Sequence, residues 1–355
     1  MLFHCPRVLR HIFGSMPVFS FKDSLVRVLG APGISRMVAS GARESVVIIM
    51  MHRFAASSGG YAGHSPSALK RSLSEVRRAG IEMVDVENAL EAFVEGEGRE
   101  RSRMRRRPRV AFTIDDGYAD ALEVAGPVFA EFDCPVTSFV APDIVDAKEW
   151  YWWDKIDTLI QSSPRHELVI DSDGAPVTLS LRTPNARAEA YGTVCELIRR
   201  LPFDAVPAFL AEFADAADTE LPSAPPPRYR VLDWRTMRSA EQRGWRFGAH
   251  SMTHPLMERC TDARAEWEIG ESIAAVRARL TNPSGVFCYP VGREGDFGAR
   301  EFEILRRHGV RWALSAIPGR LRSGQMALTD PAWQWRIPRF AHDERRGGIL
   351  RMFLS

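Results

Sequence analysis

The stretch RVAFTIDDG, Arg109–Gly117, decides the fold class of this chain. Its first six residues are mostly apolar, β-branched or aromatic, which predicts a buried strand. The Asp-Asp-Gly sequence then turns the chain, and helical periodicity follows from Tyr118 to Phe132. Because a buried strand that leads into a helix is the repeating unit of a parallel sheet, the stretch predicts an α/β fold with acidic side chains at the end of a strand.

The same alternation of strands and helices continues along the chain in both directions. Further buried strands are predicted at 46–51, 82–84, 136–140, 246–249, 286–289 and 312–315, and helices at 66–79, 86–93, 234–243, 263–280 and 299–308. Ser65 is suited to cap the helix that begins at Pro66, because its hydroxyl can accept a hydrogen bond from the first turn. About seven parallel strands are therefore expected.

The alternation stops between residues 150 and 230, which indicates an insertion. A hairpin is predicted from the runs 168–170 and 177–181, with helices at 185–200 and 204–217 and a stiff proline-rich connector at 222–227. We therefore expect an N-terminal extension over 1–44, a main domain over 45–345 that carries the insertion, and a C-terminal tail over 346–355.

Composition excludes several classes of protein. Among 355 residues, 47 Lys and Arg balance 45 Asp and Glu, so no overall attraction to nucleic acid is expected. The basic run Arg99–Arg109 has glutamates around it, which favours a solvated loop over a site for an acidic glycan or lipid headgroup. The five cysteines are scattered and have no C-x-x-C spacing, so neither a disulfide framework nor a zinc–thiolate site is indicated.

The N-terminal region bears on location. Met1–Gly30 has charged residues throughout and no signal-peptide core, so a cytoplasmic protein is predicted. The apolar run Val46–Met51 is far shorter than the roughly 20 residues of a membrane-spanning helix. Phe19–Ala42 could form an amphipathic helix on a membrane surface, but Pro32 interrupts it and favours a helix packed outside the domain.

Polar side chains lie at the ends of three predicted strands, on the side where barrel enzymes build their active sites. Asp115 and Asp116 follow the first; one can bind a cation while the other acts as a base, although Asp-Asp-Gly is also an ordinary turn. His250 and His254 follow the second at a spacing that suits one zinc-type ion, although this spacing also arises by chance. The third, Phe287–Gly292, can aim a backbone N–H into a cleft.

Together these segments resemble the motifs of the polysaccharide deacetylases, the NodB-homology family. Thr113–Gly117 is similar to the family's T-F-D-D-G motif, with Ile114 in place of the aromatic residue. His250–His254 matches H-[ST]-x-x-H, and Phe287–Gly292 resembles F-A-Y-P-x-G. The likeness extends over residues 46–340 and implies a distorted (β/α) barrel of parallel strands with an α+β insertion.

The resemblance also implies a metal-dependent mechanism. Asp116, His250 and His254 would bind a divalent ion, zinc above all, with cobalt or nickel as alternatives. Asp115 would act as the catalytic base towards the attacking water, and the backbone N–H of Tyr289 would stabilise the oxyanion.

Two further roles do not match the family motifs cleanly. The general acid of many members is a histidine in a late L-x-H motif, for which His342 is the nearest candidate. His52 is favoured, because it lies at the end of the first strand, where permuted members carry their acid. The arginine that braces the catalytic aspartate is not at its expected place before Cys288; Arg293 or Arg339 could replace it, or bind substrate.

Aromatic side chains cluster after the predicted strand 136–140. Trp152–Ile156 resembles a W-W-D-x-[IL] segment of exopolysaccharide-associated members. Trp152 and Trp153 could stack on sugar rings as substrate-binding residues or belong to the core, and both alternatives stay open.

The expected function is removal of the N-acetyl group from a sugar in a polysaccharide, glycolipid or other glycan precursor. Two alternatives stay open: the same site acting on another amide such as a formamido sugar, and a degenerate carbohydrate-binding protein. Retention of both aspartates and both histidines disfavours the second. The sequence does not indicate the sugar, the native metal or the oligomeric state.

Overall fold

A computed structural model describes residues 42, 45–55, 63–97, 107–172, 174–322 and 332–355. The predicted N-terminal helix and nearly all of the basic run lie outside these residues. None of the described helices is long and apolar enough to cross a membrane.

One curled sheet dominates the fold. The strands are β1 (Ser45–Met51), β2 (Glu82–Met83), β3 (Arg109–Ile114), β4 (Val136–Val140), β5 (Glu167–Ser172), β6 (Ala175–Ser180), β7 (Trp245–Ala249), β8 (Val286–Cys288), β9 (Trp312–Leu314), β10 (Leu321–Arg322) and β11 (Phe340–Ala341). The order across the main sheet is β10-β1-β3-β4-β7-β8-β9, with β2 beside β3 and β11 beside β1, and its pairs are parallel except β1 with β10. All seven predicted strands are present, and the predicted distorted barrel is confirmed.

Helices connect the strands. They are α1 (Pro66–Ala79), α2 (Val86–Glu97), α3 (Gly126–Glu131), α4 (Pro142–Val145), α5 (Trp152–Ser162), α6 (Pro184–Ile198), α7 (Val206–Ala217), α8 (Trp234–Glu241), α9 (Asp262–Arg279), α10 (Ala299–Arg307) and α11 (Gly348–Met352). The ends of α1 follow the prediction from its sequence: the Ser65 hydroxyl accepts from the Ala68 N–H, and Gly80 closes the helix at a φ of 73°.

The two faces of β1 have different surroundings, because successive side chains of a strand point to opposite sides. Ile49 and Met51 belong to the hydrophobic cluster that contains Leu73 of α1. Ile48 belongs to a second cluster with Leu314 of β9, across the curl of the sheet. The sheet therefore has an outer face covered by α1 and an inner face that closes on itself.

The segment between α4 and α8 has a hydrophobic cluster of its own, to which α5, α6, α7 and the β5–β6 hairpin contribute. The hairpin pairs Leu168 with Leu179 in antiparallel register, as predicted, and α6 and α7 lie at the predicted places. The helix α5 was not predicted. Its sequence starts with two tryptophans, a residue type of only moderate helix propensity.

Other elements also differ from the prediction. The helix expected from Tyr118 to Phe132 begins as a π-helical turn, Ala121–Ala125, before α3 continues. Pro127 lies just after this turn and has no N–H, so the regular hydrogen bonding of an α-helix is interrupted here. Strands β10 and β11 have two residues each, which is too short for a detectable period.

Candidate active site

The polar segments meet at one edge of the sheet, since neighbouring parallel strands end on the same side. Asp115 follows β3 and donates its N–H to Met51 O of β1 at 2.9 Å. His250 follows β7 and donates its N–H to Val140 O of β4 at 3.0 Å. Sheet hydrogen bonds therefore fix both positions, and β4 lies between β3 and β7.

Asp116, His250 and His254 form a compact, buried group in which each residue is at most 4% exposed. The Asp116 Oδ1 atom lies 3.6 Å from His250 Nε2 and 3.4 Å from His254 Nε2. The three ligand atoms all lie within 4.8 Å of one another. Ligands at about 2.0–2.1 Å from a tetrahedral zinc ion are about 3.4 Å apart, so the spacing suits a single ion.

The hydrogen bonding of these side chains also suits a cation. Among the described residues, neither carboxylate oxygen of Asp116 has a hydrogen-bond partner, although both oxygens are buried. An unpaired buried charge costs several kcal/mol, which a cation would offset. His250 Nδ1 lies 2.8 Å from Cys288 O, and because a carbonyl only accepts, Nδ1 carries the proton and Nε2 presents its lone pair towards Asp116, as metal binding would require.

The backbone at this group adopts left-handed conformations that non-glycine residues rarely take. Asp116, Ser251 and His254 have φ values of 70°, 61° and 60°. The Tyr151 hydroxyl donates to Asp116 O at 2.8 Å, and the Ser251 hydroxyl accepts from the His254 N–H at 3.1 Å. Side chains therefore stabilise the turns that aim the ligands.

The loop between the two histidines is held by Glu268 of α9. Its Oε2 accepts from the N–H of Met252 at 2.8 Å and from the N–H of Thr253 at 2.9 Å. Glu268 is fully buried, and Arg264 pairs with it at 2.8 Å. Sequence reasoning missed Glu268, although an acidic residue on the apolar stripe of the predicted helix 263–280 is a usable signal.

Arg339 braces Asp115. Its Nη1 and Nη2 atoms donate to Asp115 Oδ1 and Oδ2 at 2.8 Å each, and its Nε donates to Ser315 O at 2.8 Å. Burial alone raises the pKa of Asp115, but the charge and hydrogen bonds of Arg339, together with the nearby His250 and His52, outweigh burial and lower the pKa below its ordinary value. Arg339 is 1% exposed. Of the two roles that the sequence left open for Arg339, its contacts therefore support bracing rather than substrate binding.

Arg293 lies in the turn after β8, where its N–H donates to Asp296 Oδ2 at 2.8 Å. The pairing with Asp115 thus belongs to Arg339 and not to Arg293. A substrate-binding role for Arg293 stays a prediction.

His52 and His342 lie on opposite faces of the sheet. His52 Nε2 is 3.7 Å from Asp115 Oδ2, and the His52 side chain is 16% exposed, so it borders the site. Burial lowers the pKa of His52, and the charges of Asp116 and Asp115 partly offset this. His342 instead points outward, with Nε2 3.1 Å from Ser72 Oγ of α1. The fold therefore brings His52 to Asp115 and keeps His342 away from it.

Tyr289 lies directly after β8, one residue beyond the end of the strand, whereas the sequence predicted it as the last strand residue. Its N–H donates to Leu314 O at 3.1 Å, and its buried ring stacks on Phe297 with centroids 4.1 Å apart. The oxyanion role of this N–H stays a prediction. To play that role, the N–H would have to donate to the oxyanion as well as to Leu314 O.

Trp152 and Trp153 are buried. The Trp153 ring stacks on Tyr151 with centroids 4.2 Å apart and meets the His254 ring edge-on at 4.7 Å. Its Nε1 donates to the Tyr118 hydroxyl at 2.9 Å. These contacts correspond to the core alternative and form a wall behind His254. The hydrogen bond from Tyr151 to Asp116 was not predicted, because a hydroxyl contact to a backbone carbonyl has no sequence pattern.

The chain is similar to known proteins in sequence and in fold. A sequence model described as polysaccharide deacetylase matches residues 102–313, more than half of the chain. The chain belongs to the polysaccharide deacetylase family. Members are hydrolases that act on the carbon–nitrogen bond of N-acetyl groups. The matched span contains both aspartates and both histidines of the site.

Solved structures of deacetylases are among those that resemble this chain, at low sequence identity. The Streptococcus pyogenes deacetylase PplD, solved in complex with acetate, has a TM-score of 0.54 at 14% identity and covers 87% of this chain and 98% of that chain. IcaB from Ammonifex degensii has a TM-score of 0.49 at 14% identity, with 88% and 97% covered. No curated protein sequence matches the chain. At this identity the likeness to PplD shows the shared barrel fold.

Proposed function

We propose that this polysaccharide deacetylase is a metal-dependent N-deacetylase whose ion is held by Asp116, His250 and His254. The observation that carries the proposal is the buried Asp116 carboxylate, which has no hydrogen-bond partner among the described residues and has two imidazole Nε2 atoms within 3.6 Å. Nitrogen and oxygen ligands of this kind suit zinc, with cobalt or nickel as alternatives. A bound ion supplies Lewis acidity, which polarises the acetamide carbonyl and acidifies water.

Asp115 is the proposed general base. Both of its oxygens accept from Arg339, yet each keeps a second lone pair that can take a proton from the attacking water. The two-point contact with Arg339 fixes the plane of the carboxylate. Asp115 is therefore oriented before substrate arrives, which lowers the cost of reaching the transition state.

His52 is the proposed general acid towards the leaving amine. It lies 3.7 Å from Asp115 and is more exposed than the buried ligands, so a substrate can reach its ring. His342 has its Nε2 at Ser72, on the opposite face of the sheet. These distances support His52 over His342 as the acid.

The proposed substrate is an N-acetylated sugar in a polysaccharide or in a lipid- or nucleotide-linked precursor of one. Family membership supports the N-acetyl group. A cytoplasmic location is part of the proposal. It favours a precursor over a finished polymer.

The test is acetate release from N-acetylglucosamine oligomers and from nucleotide- and lipid-linked N-acetyl sugars, with zinc or cobalt added. Wild type is compared with Asp115→Asn, His250→Ala and a control, His308→Gln, whose ring pairs with Glu266 outside the site. Release that the first two substitutions abolish and the control retains supports the proposal. Formate release from N-formyl sugars without acetate release would redirect it to another amide, and a protein that binds no metal would overturn it.

A further inference from the structure

A second group of metal-ligating side chains lies on the outer face of the sheet. It consists of His64, just before α1, with His342 and Glu344, just after β11. His64 Nδ1 lies 3.0 Å from Glu344 Oε1 and 3.4 Å from His342 Nδ1. All three atoms lie within 4.8 Å of one another. The fold thus brings two nitrogens and a carboxylate oxygen together from segments that are 278 residues apart in sequence.

The distances suit a shared ion. Two ligands at about 2.0–2.1 Å from a zinc-type ion are about 2.9–3.4 Å apart when their angle lies between about 90° and 109°. Two of the three separations, 3.0 Å and 3.4 Å, fall within this interval, and the third pair of atoms lies within 4.8 Å. Two histidines and one carboxylate are also a ligand set that zinc uses in proteins.

Hydrogen bonding among the three atoms centres on His64 Nδ1. His64 Nδ1 faces both Glu344 and His342, yet a neutral imidazole has at most one proton on that nitrogen to donate. His342 Nε2 already has Ser72 Oγ at 3.1 Å, so if it donates there, His342 Nδ1 presents a lone pair to His64. One cation between the three atoms would accept a lone pair from each of them.

Surrounding contacts hold the carboxylate and leave a route for an ion. The Ser65 N–H donates to Glu344 Oε1 at 3.0 Å, and Arg71 Nη2 donates to Glu344 O at 2.6 Å. Hydrogen bonds of this kind orient metal ligands in proteins. The side chains of His64 and Glu344 are 25% and 39% exposed, so an ion can enter from solvent and keep a water ligand.

We propose that His64, His342 and Glu344 bind a second divalent ion of the zinc type, separate from the Asp116 group. The ion would join the start of α1 to the segment that follows β11. The same segment carries Arg339, which braces Asp115 on the inner face. The second ion is therefore structural: it joins α1 to this segment on the outer face, away from the reacting groups.

The test counts metal ions in a background that lacks the proposed catalytic ligands, His250→Ala with His254→Ala. After dialysis against limiting zinc, elemental analysis is expected to find two ions per chain in wild type and one in this background. Adding His64→Gln to the background is expected to remove the remaining ion and the rise in Tm that zinc produces. Because the background cannot bind at the Asp116 group, this result does not depend on the proposed function.

The matched control is His308→Gln in the same background, since His308 also pairs with a glutamate, Glu266, but belongs to no metal-ligating group among the described residues. It is expected to keep its ion. If the His64 variant does not fold by circular dichroism, Glu344→Gln replaces it, with zinc affinity expected to fall at least about tenfold. A background variant that binds no zinc, or a folded His64 or Glu344 variant that binds it unchanged, would overturn the proposal.

Discussion

A histidine flanks β1 on the inner face of the sheet and another flanks β11 on the outer face, and the two have different surroundings. On the inner face, His52 and Arg339 reach Asp115. On the outer face, His342 reaches Ser72 of α1 and His64. Side chains alternate along a strand, so Arg339 and His342, on either side of β11, fall on opposite faces. The difference teaches that strand parity, more than closeness in sequence, decides which polar residue serves the active site.

Replacing one carboxylate on each face is expected to give the largest difference in activity between the two faces. Asp116→Asn removes the charge that faces both histidines, and is expected to abolish metal binding at this group and to lower kcat/KM at least about 10³-fold, because a metal stabilises the transition state by several kcal/mol. Glu344→Gln on the outer face is expected to change kcat/KM less than about threefold. Acetate release and metal content measure both. Equal losses for the two variants would contradict the assignment of the inner face as catalytic.

His52 and His342, one on each face, allow a second comparison, of kcat. His52→Gln is expected to lower kcat at least about 10²-fold, the usual size of a general acid's contribution, whereas His342→Gln is expected to leave kcat within about threefold. Steady-state kinetics at saturating metal separate the two effects. The opposite ranking would return the acid role to His342.

Substitution of Arg339 tests the inner face by its effect on the free energy of unfolding. Arg339→Met leaves the Asp115 carboxylate buried without its partner, which is expected to lower the free energy of unfolding by about 3–5 kcal/mol. Adding Asp115→Asn removes the charge and is expected to recover most of that loss without recovering activity. Urea unfolding of both single variants and the double variant measures the coupling, and additive single effects would show that the pair does not act as a unit.

The smallest effect is expected for the contact between the insertion and the site. Tyr151→Phe keeps the ring stacked on Trp153 but removes the hydrogen bond to Asp116 O, and is expected to weaken metal binding about tenfold, as loss of a ligand-orienting contact does. Tyr191→Phe, in the same insertion, is the control. Titration with zinc measures the metal affinity of both variants. If Tyr151→Phe keeps the wild-type affinity, Tyr151 contributes only to packing.

Much of the barrel could be predicted because its signals are local. The β-branched runs of β1, β3 and β4 and the capped helix α1 follow from a few neighbouring residues, and the seven predicted strands are present. The two-residue strands β10 and β11 could not be predicted, since pairing with β1 creates them. The placement of Trp153 against His254 likewise depends on how α5 packs.

The strand–helix alternation, the family motifs and the grouping of Asp115, Asp116, His250 and His254 as candidate site residues can all be inferred from the sequence, because periodicity and short spacings are properties of neighbouring residues. Only the tertiary structure decided that Arg339 rather than Arg293 holds Asp115, that His52 rather than His342 borders the site, and that His64, His342 and Glu344 converge. The physical reason is that sheet pairing joins distant segments and alternation assigns each side chain to a face. Neither can be read from one segment alone.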